Sequence, residues 1–339
     1  MKAVLVQEPN KLAVVTDLPR PEPNPYQALV RIEACSICNS TDRKILERHF
    51  VSQIPLPLVL GHESVGTIVA LGNKVRTYTL GQKVLRPGAA YASEIGIASA
   101  WGGMAEYGLV TDMEAWQADH PNGRPHGQWA AQQVVPPEIP SAEATALITL
   151  KETLSAARAA GIGTDTTCAI VGTGPVAQTF ALWARHLGAP LVVVYGRRDR
   201  WADTFLRLGA DAYVAGQRIW PDGAPSLPAG YDRVIEAVGS SEALLRTLEL
   251  VAPGGHVGNY GVAPENDTMP TPIQRAYATE TIVTLPVREQ DEHAEVLGLV
   301  QNGKIKLGDW ISHVLPIEDV QEGFRLLAER QATKVVLSI

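Results

Sequence analysis

Apolar residues follow two different rhythms along this chain. Up to about residue 145 they form short β-type runs broken by Gly and Pro. Examples are Leu29-Val30-Arg31-Ile32, Ser64-Val65-Gly66-Thr67-Ile68-Val69 and Gly81-Gln82-Lys83-Val84-Leu85. From about Ser141 to Gly261 helical and strand patterns alternate, which predicts a doubly wound parallel sheet. Strands are expected at 169–171, 191–195, 212–214, 232–239 and 255–260, with helices at 178–187, 202–208 and 241–250. From about Glu289 the first texture returns, with a helix over 292–301 and a strand at Lys334-Val335-Val336-Leu337. The expected fold is therefore α/β, with one domain (146–288) inserted into a split, β-rich one (1–145 and 289–339). The polar, turn-rich stretch from His120 to Trp129 reads as a long loop.

A chain of 339 residues exceeds what one core usually serves, which supports two domains. The net charge is −7 with Lys and Arg scattered, which argues against nucleic acid or an anionic membrane as partner. No apolar run reaches the length of a membrane span, and Met1-Lys2-Ala3-Val4-Leu5-Val6-Gln7 reads as a strand rather than a signal peptide. Only three cysteines occur. They make no disulfide framework and suit a reducing compartment, so a cytoplasmic location is expected.

The most specific local signal is Gly172-Thr173-Gly174-Pro175-Val176-Ala177, a Gly-x-Gly-x-x-Ala turn between an apolar strand and a helix, with a second strand behind it. Such a turn lets backbone approach a pyrophosphate, and the helix N-terminus adds free N–H groups and partial positive charge. An acid about 20 residues further on usually marks NAD. Here the second strand ends in Gly196-Arg197-Arg198, and the first acid is Asp199. Gly196 makes room, and two guanidiniums suit a 2′-phosphate, so position and composition favour NADP(H). The same Gly-Arg-Arg-Asp-Arg run also reads as a solvated turn.

Two further segments carry metal-ligand residue types: Cys35-Ser36-Ile37-Cys38-Asn39-Ser40-Thr41-Asp42 and Gly61-His62-Glu63. Thiolate, imidazole and carboxylate are the ligands of a catalytic zinc. On spacing alone, a lone Cys and a lone His on separate loops read more often as structural than as metal ligands.

Taken together, these motifs resemble the zinc-dependent alcohol dehydrogenases of the medium-chain dehydrogenase/reductase family, over essentially the whole chain. Val65-Gly66, Gly81-Gln82-Lys83-Val84, Gly102-Gly103-Met104-Ala105-Glu106-Tyr107, Leu208-Gly209-Ala210-Asp211 and Pro253-Gly254-Gly255 fit the same order. The resemblance implies a GroES-like catalytic domain, a Rossmann domain and an active site in the cleft between them. It implies Cys38 and His62 as zinc ligands, with Glu63 as a carboxylate beside the metal. Ser40 or Thr41 would be the hydroxyl that relays the alcohol proton, and Asp42 the carboxylate that orients the ligand histidine. Thr153 matches a threonine beside the nicotinamide, and Val238 joins the cofactor contacts.

The chain departs from the family in two places. Thr149 stands where a third ligand is usual, with Glu152 one helical turn on as the candidate replacement. The stretch 85–94 lacks the four cysteines of a structural zinc. The expectation is thus NADP(H), one catalytic zinc per chain and no structural zinc, with a small alcohol or carbonyl substrate. The polar run Arg43, Lys44, Glu47 and His49 suggests a polyol or sugar-like substrate, or simply an exposed helix face. Relatives form dimers or tetramers, and residues 268–284 match the segment through which they pair. Two other readings stay open: a metal-free enoyl or quinone reductase of the same superfamily, and a non-catalytic cofactor-binding protein.

Overall fold

The computed structural model describes residues 1–91, 95–124 and 127–339. Strands β1 (Ala3–Glu8), β2 (Lys11–Val15) and β3 (Gln27–Ile37) lead into helix α1 (Thr41–Leu46). Then come β4 (Leu58–Val59), β5 (Glu63–Leu71), β6 (Lys83–Leu85), β7 (Ala98–Ser99) and β8 (Tyr107–Thr111). Helix α2 (Met113–Asp119), β9 (Val134–Val135) and the long helix α3 (Ser141–Ala159) follow. The next stretch contains β10 (Cys168–Val171), α4 (Pro175–His186), β11 (Val192–Gly196), α5 (Ala202–Arg207), β12 (Ala212–Ala215) and β13 (Arg218–Trp220). It continues with β14 (Tyr231–Glu236), α6 (Ser241–Leu248), β15 (Val251–Asn259), α7 (Thr271–Ala278) and β16 (Ile282–Thr284). The chain closes with α8 (His293–Gln301), β17 (His313–Pro316), α9 (Val320–Ala328) and β18 (Val335–Ser338). No described helix is long and apolar enough to cross a membrane.

The chain divides into two compact units, Met1–Ile148 with His293–Ile339, and Thr149–Glu292. In the first, β3 is the organising strand. It pairs antiparallel with β5 from Ala28 opposite Leu71 to Ser36 opposite Glu63. Strand β8 covers its first half and β18 its second. Register slips between Leu29 and Val30 and between Ile32 and Ala34 bend the strand in the manner of β-bulges. With Ser36 facing Glu63, the chain just past β3 and the chain just before β5 come side by side. That is where Cys38 and His62 stand. Cys35, Ile37, Leu60, Met104, Val335 and Leu337 pack into one cluster behind them, so the strand ends rest on close-packed apolar residues.

The second unit is a seven-stranded sheet in the order β13-β12-β11-β10-β14-β15-β16. All neighbours are parallel except the antiparallel pair β12–β13. The order reverses direction at β10, the switch point where such sheets bind ligands. Strand β10 is wholly buried, as its unbroken apolar sequence requires of a parallel strand covered on both faces.

The structure departs from the periodicity in three places. Strand β13 lies in a stretch where no strand was expected. Ala215 pairs with Arg218, so the hairpin turns on Gly216 and Gln217 alone, with Gly216 at φ 61°, a conformation that glycine accepts without strain. Helix α6 ends at Leu248, and β15 begins at Val251, running through Pro253-Gly254-Gly255 beside a register irregularity between Tyr231 and Arg233. The expected 120–129 loop ends in a 3₁₀ turn, Gly127–Ala131; its residues 125 and 126 lie outside the described ones. Likewise, residues 92–94 of the cysteine-free stretch 85–94 lie outside them. The 268–284 segment forms α7 and the edge strand β16.

Candidate metal and nucleotide sites

Cys38 Sγ, a His62 ring nitrogen and a Glu63 carboxylate oxygen all lie within 4.8 Å of one another. This follows from the β3–β5 register, because Cys38 is one residue past β3, His62 one residue before β5, and Glu63 begins it. Asp42 organises the group. Its Oδ2 accepts from the Cys38 N–H at 2.8 Å, and its Oδ1 lies 3.2 Å from His62 Nδ1. Asp42 is fully buried on α1, one turn past the cysteine. With Nδ1 facing a carboxylate, Nε2 is the ring nitrogen left for a metal, the arrangement in which ligand histidines are usually held. Burial works against charge on His62, but Asp42 and Cys38 outweigh it and raise the imidazole pKa well above its ordinary value. The donor set and its supporting carboxylate fit a catalytic zinc ion.

Ser40 and Thr41 sit at the start of α1. The Thr41 N–H donates to Cys38 Sγ at 3.5 Å, and Ser40 Oγ accepts from Lys44 Nζ at 3.0 Å. Arg43 Nε donates to Glu47 Oε1 at 2.7 Å, with His49 also beside Glu47, so several charges after Asp42 pair with one another.

Four neighbours of this group escaped the sequence reading. Lys334 Nζ and Ser36 Oγ both meet Glu63 Oε2. Burial pushes the Glu63 carboxyl up, but Lys334 and His62 more than offset this and hold it below the usual carboxylate range. Arg86, at φ 59°, donates to the His62 carbonyl at 2.7 Å. The Trp101 ring lies 5.3 Å from the imidazole, centroid to centroid. A lysine in an otherwise apolar C-terminal strand was the one available hint.

At the second unit's switch point, Gly172 (φ 137°) donates its N–H to the Tyr195 carbonyl at 3.1 Å. Gly174 is the N-cap of α4, with Pro175 in the first turn and no side chain capping it. Val176 and Ala177 therefore follow a helix N-terminus that no side chain caps, the geometry that accepts a phosphate. At the end of β14, the Glu236 carboxylate is fully buried and accepts from the N–H groups of Val238 at 2.7 Å and Gly239 at 2.9 Å. That pins the backbone around Val238, whose own side chain stays 44% exposed.

Residues 24–120 match the family model described as the alcohol dehydrogenase GroES-like domain, and residues 175–302 match the zinc-binding dehydrogenase model. The chain belongs to the medium-chain dehydrogenase/reductase family. An alcohol dehydrogenase of Cupriavidus necator is 25% identical over 98% of this chain and 96% of its own. A putative D-xylulose reductase of Agrobacterium fabrum is 27% identical over 100% and 99%. Among solved structures, an alcohol dehydrogenase from Thermus sp. ATN1 superposes with a TM-score of 0.79 at 23% identity, covering both chains completely. The protein is thus an oxidoreductase of the alcohol and polyol dehydrogenase type, with a GroES-like and a Rossmann-type part.

In this medium-chain dehydrogenase the expected third-ligand region lies on α3. Thr149 is buried, and its carbonyl accepts from the Thr153 hydroxyl at 2.7 Å. Thr153 is itself fully buried and takes the Trp183 Nε1–H at 3.0 Å. Glu152 belongs to the second unit, where the Tyr260 hydroxyl donates to its Oε2 at 3.4 Å.

Around the end of β11 the dehydrogenase carries more positive charge than the sequence motif announced. Arg197, Arg198, Asp199, Arg200, Ala215, Gly216, Arg218 and Trp220 line one open cleft. Gly196 has a steric reason of its own. A Cβ there would lie 1.9 Å from the Tyr213 hydroxyl oxygen, and that hydroxyl donates to the Arg198 carbonyl at 2.5 Å. The missing side chain thus admits Tyr213, which fixes the backbone that presents the arginines.

Proposed function

We propose that this protein interconverts an alcohol and its carbonyl partner, with zinc assistance and NADP(H) as the hydride carrier, and that its substrates are polyols or sugar-like alcohols. The observation that carries this reading is the Cys38–His62–Glu63 group with Asp42 behind it. A zinc ion bound there supplies Lewis acidity to the substrate oxygen. Asp42 keeps His62 in the ligating tautomer and, through the Cys38 N–H, holds the thiolate loop in place. Lys334 and Ser36 keep Glu63 ionised beside the site. Ser40 and Thr41 provide hydroxyls for passing the alcohol proton outward, and the Lys44 ammonium at Ser40 Oγ favours a hydroxyl that gives its proton up.

In the second unit Gly172, Gly174, Pro175, Val176 and Ala177 take the pyrophosphate, and Gly196, Arg197 and Arg198 receive the 2′-phosphate. Thr153 and Val238 border the nicotinamide end. Glu152 is proposed as the remaining carboxylate ligand, since Thr149 has no donor suited to zinc. The polyol class draws support from the likeness to a putative D-xylulose reductase and from the polar residues that follow Asp42.

The test is NADPH oxidation against a panel of ketoses, simple ketones and activated alkenes, before and after chelation and zinc restoration. Carbonyl reduction that is lost on chelation and returns with zinc supports the reading. Chelation-resistant reduction of an alkene would replace it with the metal-free reductase of the same superfamily.

A further inference from the structure

The basic cleft has two walls, and the nucleotide motif supplies only one. Arg197, Arg198 and Arg200 follow β11; Arg218 and Trp220 come from β13, the antiparallel strand appended to the sheet edge. We propose that the β12–β13 hairpin is the second jaw of a phosphate clamp, in which Arg218, held over the Trp220 ring, binds the ribose 2′-phosphate opposite Arg197 and Arg198 and thereby sets cofactor preference. This rests on the NADP(H) reading above.

Three observations support it. First, among the described residues none of the four guanidiniums forms an ion pair with a carboxylate, and the only acid in the lining is Asp199. Four cations against one anion, in a chain of net charge −7, repel one another unless an anion joins them. A phosphomonoester carries about −1.5 to −2 near neutral pH, which suits that excess.

Second, the Arg218 guanidinium lies 4.4 Å from the Trp220 ring centroid. The cation–π contact restrains the guanidinium at the cleft, and with no carboxylate partner among the described residues its N–H groups can donate to an oxyanion.

Third, the two walls are mechanically joined. Trp220 pairs across the strands with Tyr213, with ring centroids 5.9 Å apart. Tyr213 stacks on Phe205 at 5.6 Å and donates its hydroxyl to the Arg198 carbonyl. The hairpin thus braces the turn that carries the opposite arginines.

The experiment is calorimetric titration of the intact enzyme with adenosine 2′,5′-bisphosphate and with 5′-AMP, on wild type, Arg218→Ala, Arg218→Lys, Trp220→Leu and Arg197→Ala/Arg198→Ala. Wild type should bind the bisphosphate about tenfold or more tightly than the monophosphate. Arg218→Ala should lose about tenfold for the bisphosphate alone. Arg218→Lys should recover part of that loss, and Trp220→Leu should show a smaller version of it. If Arg218→Ala leaves bisphosphate affinity intact, or weakens both nucleotides equally, the hairpin is no clamp. The NADP(H) reading would then still stand, provided Arg197→Ala/Arg198→Ala loses the bisphosphate. A wild type that does not tell the two nucleotides apart overturns the NADP(H) reading itself.

Discussion

Asp42 is the residue on which the candidate metal group turns, because one buried carboxylate meets both the Cys38 N–H and the His62 ring. Cys38→Ala or His62→Ala should abolish zinc binding and oxidoreductase activity, with NADPH affinity unchanged by titration. Asp42→Asn should keep the fold yet weaken zinc by about 10- to 100-fold, read by competition with a chromogenic chelator. Wild-type zinc affinity in Asp42→Asn would deny the carboxylate its orienting role. Gly196 permits a second residue-scale test. Gly196→Ala should destabilise by about 1–3 kcal/mol through overpacking against Tyr213. Adding Tyr213→Phe, which removes the closest atom, should recover part of that loss in a double-mutant cycle. Additive effects would mean the strain lies elsewhere. Asp42 was named in the sequence through the family resemblance, and the fold brings it to both Cys38 and His62. Lys334 and Arg86 were not, since their partners at Glu63 and His62 are brought to them only by the sheet.

At the scale of elements, short connections depend on single caps. Asp112 shows this for α2. Its Oδ1 accepts from the Ala115 N–H at 2.9 Å, and its Oδ2 takes the N–H groups of Arg76 at 2.7 Å and Thr77 at 2.8 Å. One carboxylate therefore starts a helix and closes a loop. Burial pushes its carboxyl up, but these backbone donors more than offset the effect and hold it below the usual range. A carboxylate whose folded pKa is depressed stabilises above its unfolded value, about 3.9, and loses that contribution as pH falls through the folded value. Asp112→Ala should therefore cost about 2 kcal/mol in urea denaturation at neutral pH, with the deficit shrinking below about pH 4. A deficit that does not change with pH would show that the charge plays no part.

The elements also show why legibility was uneven. Strand β10, helix α4 and strand β11 could be read because unbroken apolar runs flank glycines. The hairpin strand β13 could not, since Arg218-Ile219-Trp220 is three residues long and shows no period. Its existence rests on pairing with β12. The basic cleft was accordingly half visible, with Arg197 and Arg198 found in the motif and Arg218 and Trp220 found only in the fold.

For the whole molecule, the contrast is between an acidic chain and one concentrated basic cleft. Ligand binding stabilises a fold by an amount that grows with the logarithm of affinity, about 2.7 kcal/mol at a ligand concentration 100 times Kd. NADPH should therefore raise the melting temperature well above the effect of NADH at equal concentration, and Arg197→Ala/Arg198→Ala should remove that difference. Equal shifts from both cofactors in wild type would sink the 2′-phosphate assignment. The division into a β-rich unit and a parallel-sheet unit keeps these expectations separable, because Cys38, His62 and Glu63 belong to the first and the arginine cleft to the second.

The central claim is that Cys38, His62 and Glu63 hold a catalytic zinc, and elemental analysis of protein purified without added metal tests it most directly. The account predicts about one zinc per chain in the wild type and none in Cys38→Ala. A wild type that stays free of zinc after reconstitution would contradict it.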